Sequence, residues 1–159
     1  MWGRVGACPE RSRSDPSRPS EARRGFESGE TTFMRLKFRR LPYAFAVCRL
    51  PPDAPIPASI ATASFTSISR TAEELSIVCP IDQAPQNAKC ESPWTCFKLE
   101  GPFPFSLTGV LDSFLDPLAE RGVPIFAVST FDTDYILVKE EHAATALETL
   151  ANAGHTLTD

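Results

Sequence analysis

Apolar residues at 107, 110, 111, 114, 115, 118 and 119 recur at spacings of three and four. That spacing puts them on one face and predicts a helix over 107–121. Gly122 stands where a helix C-terminal cap belongs. Pro117, which has no amide donor, is expected to bend the helix. A second helix is expected over 140–153, with Glu140 and Glu141 in its first turn and Gly154 beyond its end. Around these helices the runs are shorter. Residues 94–99 (WTCFKL), 124–131 (PIFAVSTF) and 135–139 (YILVK) read as strands. Asp132-Thr133-Asp134 is a tight turn, GPFPF a rigid one, and HTLT (155–158) a last edge strand. Upstream, 41–50, 63–70 and 75–79 are also strand-like, and the TAEE link between the last two suits a hairpin. The prolines of 51–57 forbid regular helix, and 80–93 is expected to be loop with at most one helical turn.

The second half therefore orders as β-α-β-β-α-β, the split βαβ or ferredoxin-like arrangement. Two helices cover one face of an antiparallel sheet. The first half, β-loop-β-β, reads as a degenerate copy with worn or absent helices. The fold class is α+β. The expected division is a tail at 1–35, a reduced unit at 36–93 and a complete unit at 94–159. Two units this small need a shared core.

Charge changes the picture at the N-terminus. Residues 1–40 carry ten Lys+Arg against five Asp+Glu, and residues 41–159 carry six against fifteen. An acidic body argues against nucleic-acid binding, which needs a concentrated positive field. It also argues against an RNA-recognition sheet, although that module shares the β-α-β-β-α-β order; the strand 124–131 lacks Lys and Arg. No apolar run reaches the roughly 18–20 residues of a membrane span. Residues 1–35 are rich in Arg and Ser and lack the composition of a packed core. A mitochondrial presequence shares that richness but is poor in acids, whereas Glu10, Asp15, Glu21, Glu27 and Glu30 stand here. The favoured reading is that Met34 is the real start, since a domain begins there. Five cysteines (8, 48, 79, 90 and 96) include no C-x-x-C pair. Cys48, Cys79 and Cys96 lie in apolar runs and are expected to be reduced core thiols, with a cytoplasmic setting as the default.

Two longer runs carry a family likeness. The first is Gly101-Pro102, then Phe105-Ser106-Leu107-Thr108-Gly109-Val110-Leu111, then Pro117-Leu118-Ala119-Glu120. The second is Ser129-Thr130-Phe131-Asp132-Thr133-Asp134-Tyr135-Ile136-Leu137-Val138. Together they resemble small ACT-domain proteins, most of all those with paired ACT units. Similar units occur in cytosolic arginine sensors and in aspartate kinase regulatory regions. The resemblance covers about 36–158 and includes the strand Leu75–Cys79. It implies a regulatory module that binds an amino acid where two ACT units meet and does no chemistry of its own. Carried over by position, the binding residues are Phe105, Ser106, Leu107, Thr108, Gly109, Val110 and Ser113, with Thr130, Phe131, Asp132, Thr133 and Asp134. A second chain, in a homodimer, or a regulated partner is the implied associate. No cofactor is expected.

The residue types suit that task. A helix start offers free amide donors and partial positive charge, and so accepts a carboxylate. Gly109 permits close approach to the backbone. A carboxylate at Asp132 or Asp134 is suited to an ammonium or guanidinium. Plainer roles stand beside these: Ser106 as helix N-cap, Asp132 and Asp134 as turn residues, Gly109 as a small residue where helix packs on sheet. The phenylalanines at 97, 103, 105, 114, 126 and 131 are expected to be mostly core, and His142 and His155 solvated. No nucleophile elbow, zinc-spaced cluster or phosphate loop occurs. The alternative function is an interaction module that pairs through a sheet edge and keeps only a vestigial pocket.

Overall fold

The helical stripe folds as α1 (Val110–Glu120) and the second helix as α2 (Ala143–Asn152), in a computed structural model that describes residues 34–159. The expectations for residues 1–33, Cys8 included, lie outside the described residues. Both helices stop in the same way. Gly122 and Gly154 take φ of +68° and +89°. The amide of Val123 then reaches the carbonyl of Leu118 at 2.9 Å, and that of His155 the carbonyl of Leu150 at 3.0 Å. These are the long bonds of a Schellman cap, which satisfy carbonyls that the helix leaves over.

At its start α1 departs from expectation by three residues. Gly109, at φ +80°, is the N-cap, and no side chain caps the helix. Ser106 is exposed in a turn and is not the N-cap. The left-handed conformation of Gly109 lets the chain enter the helix abruptly, which leaves Leu107 outside it. α2 is preceded by a 3₁₀ turn, Glu140–His142, so the expected span is filled by two kinds of turn.

The strands form one seven-stranded sheet. They are β1 (Lys37–Leu50), β2 (Ser67–Arg70), β3 (Leu75–Pro80), β4 (Lys89–Leu99), β5 (Ile125–Ser129), β6 (Asp134–Lys139) and β7 (Thr156–Thr158). Their order is β2-β3-β1-β4-β6-β5, with β7 beside β1. All neighbours are antiparallel except β1 and β7. In a lone split βαβ unit β7 would lie beside β4. Here Phe38 pairs with Leu99 on one side and Leu157 on the other, so β1 occupies that place. β4 also begins earlier than expected, inside the stretch read as loop. Ser92 and Pro93 fall at a register shift between the Phe45 and Val47 pairings, where a missing ladder donor costs little.

The helices cover one sheet face. Phe38 packs edge-on against Phe97 and Phe114, with centroids 5.5 and 5.2 Å apart, and all three are fully buried. The other face carries no helix among the described residues. The sheet curls onto itself instead: Phe65 stacks on Tyr135 at 3.9 Å, and Ser67 and Ser69 of β2 line one cleft with Phe126 and Val128 of β5. Between β1 and β2 there is only a 3₁₀ turn, Ala58–Thr62.

Two expectations fail in this frame. Cys48 is not a free thiol. It is disulfide-bonded to Cys90, with which it is in register across β1 and β4. The 42 intervening residues hid the pairing, because Cys90 lay in apparent loop. Cys79 and Cys96 are free and buried, and burial pushes the Cys96 thiol up to about 12. The cytoplasmic default loses the part of its support that came from Cys48. His155 is not solvated either: it is 6% exposed and bonded at both ring nitrogens.

Candidate functional site

Two loops are pinned together above the ends of β4 and β5. The amide of Phe103 donates to the carbonyl of Asp132 at 2.8 Å. Thr133 is buried, and its hydroxyl donates to the carbonyl of Leu99 at 2.7 Å. A Cβ on Gly101 would lie 2.5 Å from the carbonyl oxygen of Asp132, so this crossing requires glycine. The turn is closed internally as well. The Thr130 amide and hydroxyl both donate to the Thr133 carbonyl at 2.8 Å. Ser129 Oγ donates to Asp134 Oδ1 at 2.5 Å.

Between this turn and the start of α1 lies a pocket of about 300 Å³. Of the twelve positions expected to bind, nine line it: Phe105, Leu107, Gly109, Val110, Thr130, Phe131, Asp132, Thr133 and Asp134. Ser106 and Thr108 are exposed on the loop outside the lining. Ser113 is buried one turn behind, where its Oγ donates to the Gly109 carbonyl at 2.5 Å. It supports the helix start and lines a different cavity. Four lining residues escaped the sequence reading: Phe103, Pro104, Leu111 and Ser129. Pro104 and Ser129 adjoin the expected runs, Phe103 stands one residue further out, and Leu111 belongs to the helical stripe, so the signal was proximity along the chain alone.

The pocket has two electrical poles. On one side α1 begins without a side-chain cap, and its first internal bond is from the Ser113 amide to the Gly109 carbonyl at 3.0 Å. The amides of Val110, Leu111 and Asp112 therefore precede the helical ladder, at the positive end of the helix. Nothing lies within 4 Å of a Cβ placed on Gly109. Its glycine serves the positive φ, not tight helix–sheet packing. On the other side stand Asp132 and Asp134. Among the described residues Asp132 has no ion-pair or hydrogen-bond partner for its carboxylate, and the lining holds no Lys, Arg or His. Apolar side chains form the rest of the wall. Phe105 and Phe131 meet edge-on at 5.1 Å on the rim, 80% and 79% exposed. The expectation that these two are core does not hold.

The sequence model of the ACT domain matches residues 89–152, and a model of an N-terminal domain matches 43–87. The crystal structure of Atu0741 from Agobacterium tumefaciens is similar at 43% identity and TM-score 0.74, over 79% of this chain and 93% of that one. VC0802 from Vibrio cholerae, described as of unknown function and a possible transport protein, is similar at 18% identity and TM-score 0.62, over 77% and 92%. The ligand-free regulatory subunit of aspartate kinase from Thermus thermophilus matches at 12% identity and TM-score 0.51, over 70% and 93%. The last two show a shared fold alone. No helix among the described residues is long and apolar enough to cross a membrane. On the family match and the 43% identity, the chain belongs to the ACT domain family.

Proposed function

We propose that the protein is a regulatory module that binds an amino acid in the pocket between α1 and the 129–134 turn and catalyses nothing. The observation that carries this is the pairing of an uncapped helix start with the carboxylate of Asp132, unpartnered among the described residues, across one pocket. A carboxylate group is satisfied by the amides of Val110 to Asp112. An ammonium group is satisfied by Asp132, with Asp134 beside it. The likeness to an aspartate kinase regulatory subunit supports a regulatory use of the fold. A second reading draws on the exposed Phe105–Phe131 pair and the unpaired edges of β2 and β5. In it, the protein is an interaction module, and a second chain or a regulated partner covers the rim.

A thermal-shift screen against the twenty amino acids separates the two. A ligand present at 100 times its dissociation constant adds about 2.7 kcal/mol of stability. At least one amino acid is expected to shift the melting temperature, and Asp132→Ala or Asp134→Ala to remove the shift while the fold persists. No shift at millimolar concentrations favours the interaction module. A shift that survives both substitutions moves the site elsewhere.

A further inference from the structure

One turn along α1 from the pocket, one buried side chain joins three elements. His155 follows the cap of α2 and precedes β7. Its Nδ1 accepts a hydrogen bond from the amide of Leu36 at 3.2 Å, just before β1 begins. Its Nε2 lies 3.0 Å from the carbonyl of Ser113 in α1. That carbonyl is available because the residue four positions on is Pro117, which has no amide to give it. Both partners fix the ring chemically. A backbone amide only donates, so Nδ1 must be unprotonated. A carbonyl only accepts, so the proton is on Nε2. Neutral imidazole alone satisfies both.

A proton on Nδ1 would set two donors against each other at 3.2 Å. The structure also offers the charged ring somewhere to go. Beside it is a cavity of about 240 Å³ lined by Ser113, Asp116, Pro117, Glu120, Ala153 and His155. The charged groups around the ring are few. α1 contributes Asp116 and Glu120, both of which favour imidazolium. The approach to β1 contributes Arg35, whose side chain lies against Gly154, 3.3 Å from a Cβ placed there. The C-cap of α2 adds only Ala153 to the cavity, and β7 carries no charged residue. The Phe114 ring packs edge-on at 5.2 Å. Burial holds the His155 pKa below its ordinary value, and the hydrogen bond with the Ser113 carbonyl partly opposes this.

We propose that His155 is a proton-operated latch: neutral, it ties the entry of β1 to α1; protonated, it releases Leu36 and turns toward Asp116 and Glu120. Ser113 extends the effect to the pocket. The residue whose carbonyl takes the His155 bond also holds Gly109, through its amide and its Oγ. Release at His155 therefore loosens the helix start that forms one pocket wall. The inference concerns the apo protein and stands whether or not the pocket binds an amino acid.

The test is amide hydrogen exchange by NMR on the full chain from pH 7.5 to 5.5, corrected for the intrinsic pH dependence of exchange. His142 is the only other histidine, so His142→Gln is the control. His155→Gln is the second variant, because its amide supplies one acceptor and one donor and does not titrate. In the wild type and in His142→Gln, protection of the Leu36 and Ser113 amides should fall at least tenfold across this range, while that of the Ile136 amide in the core falls severalfold less. In His155→Gln the profile should be flat. Equal loss at Ile136 would mean global unfolding and would overturn the latch. Loss at Leu36 with Ser113 unchanged would overturn the coupling to the pocket. Should the glutamine variant not fold, the ¹⁵N shifts of the His155 ring decide in the wild type. A neutral Nε2–H tautomer at pH 7.5 that becomes imidazolium as Leu36 protection falls supports the proposal. Protonation with Leu36 still protected overturns it.

Discussion

Two groups of phenylalanines in this molecule have nearly the same geometry and opposite surroundings. Beneath α1, Phe38 meets Phe97 and Phe114 edge-on at 5.5 and 5.2 Å, with interplanar angles of 81° and 75°, and water is excluded. On the pocket rim, Phe105 meets Phe131 edge-on at 5.1 Å and 83°, with both rings largely in water. The edge-to-face contact is worth about 0.5–1.5 kcal/mol in either place. The apolar burial that makes an aromatic residue valuable for folding is present only in the first. Folding therefore accounts for the buried group. It leaves the rim pair without an explanation in the isolated chain, and a ligand or partner would supply one.

Truncating one ring from each group separates the two roles. Phe114→Ala should cost about 3–5 kcal/mol in chemical denaturation, because it removes a core ring and leaves a cavity. Phe131→Ala should cost only the edge-to-face contact, about 0.5–1.5 kcal/mol, yet abolish or weaken any amino-acid response. If both cost the same, the rim pair belongs to the core in solution. Gly101→Ala probes the loop crossing beneath the rim. A Cβ 2.5 Å from a backbone oxygen must displace the turn that carries Asp132, at about 1–3 kcal/mol. Gly109→Ala probes the opposite wall. There is room for the methyl group, so the expected loss of about 1–2 kcal/mol comes from the positive φ alone.

The smallest effect expected is on pH dependence. Burial lowers the folded-state pKa of His155 below that of the unfolded chain. As pH falls below the unfolded value of roughly 6.5, the unfolded chain takes up a proton before the folded one does, and stability drops. The drop ends once pH passes below the folded-state pKa. Urea midpoints between pH 7.5 and 5 should therefore decline in the wild type and hold steady in His155→Gln, with carboxylate titration showing only at the acid end.

How much of this was legible depends on the range of the interactions. The α1 stripe, the caps at Gly122 and Gly154 and the 132–134 turn are local patterns, and the sequence carries them openly. Nine of the twelve expected site residues line one pocket because they came in two runs, the entry to α1 and the β5–β6 connection, which fold side by side. What stayed hidden is set by distant partners. Lys37, Arg39 and Arg40 hid the first residues of β1, which the apolar pattern starts only at 41, though Phe38 pairs on both sides. Pro93 made the start of β4 look like loop, and that concealed the Cys48–Cys90 bond. His155 looked solvated because its partners, Leu36 and Ser113, are 119 and 42 residues away. The exposure of Phe105 and Phe131 was invisible for the opposite reason. Nothing in a run of residues distinguishes an aromatic that folds inward from one left at a rim.

Whether the two-poled pocket holds an amino acid can be read residue by residue from amide chemical shifts. An amino acid identified by thermal shift would be titrated into ¹⁵N-labelled protein. The largest shift changes are expected on Val110, Leu111 and Asp112 together with Thr130 to Asp134, and Asp132→Ala is expected to weaken binding by about tenfold or more, as the loss of a charge-assisted bond requires. Changes concentrated elsewhere, for instance in the cleft between β2 and β5, with Asp132→Ala binding normally, would contradict an amino acid in that pocket.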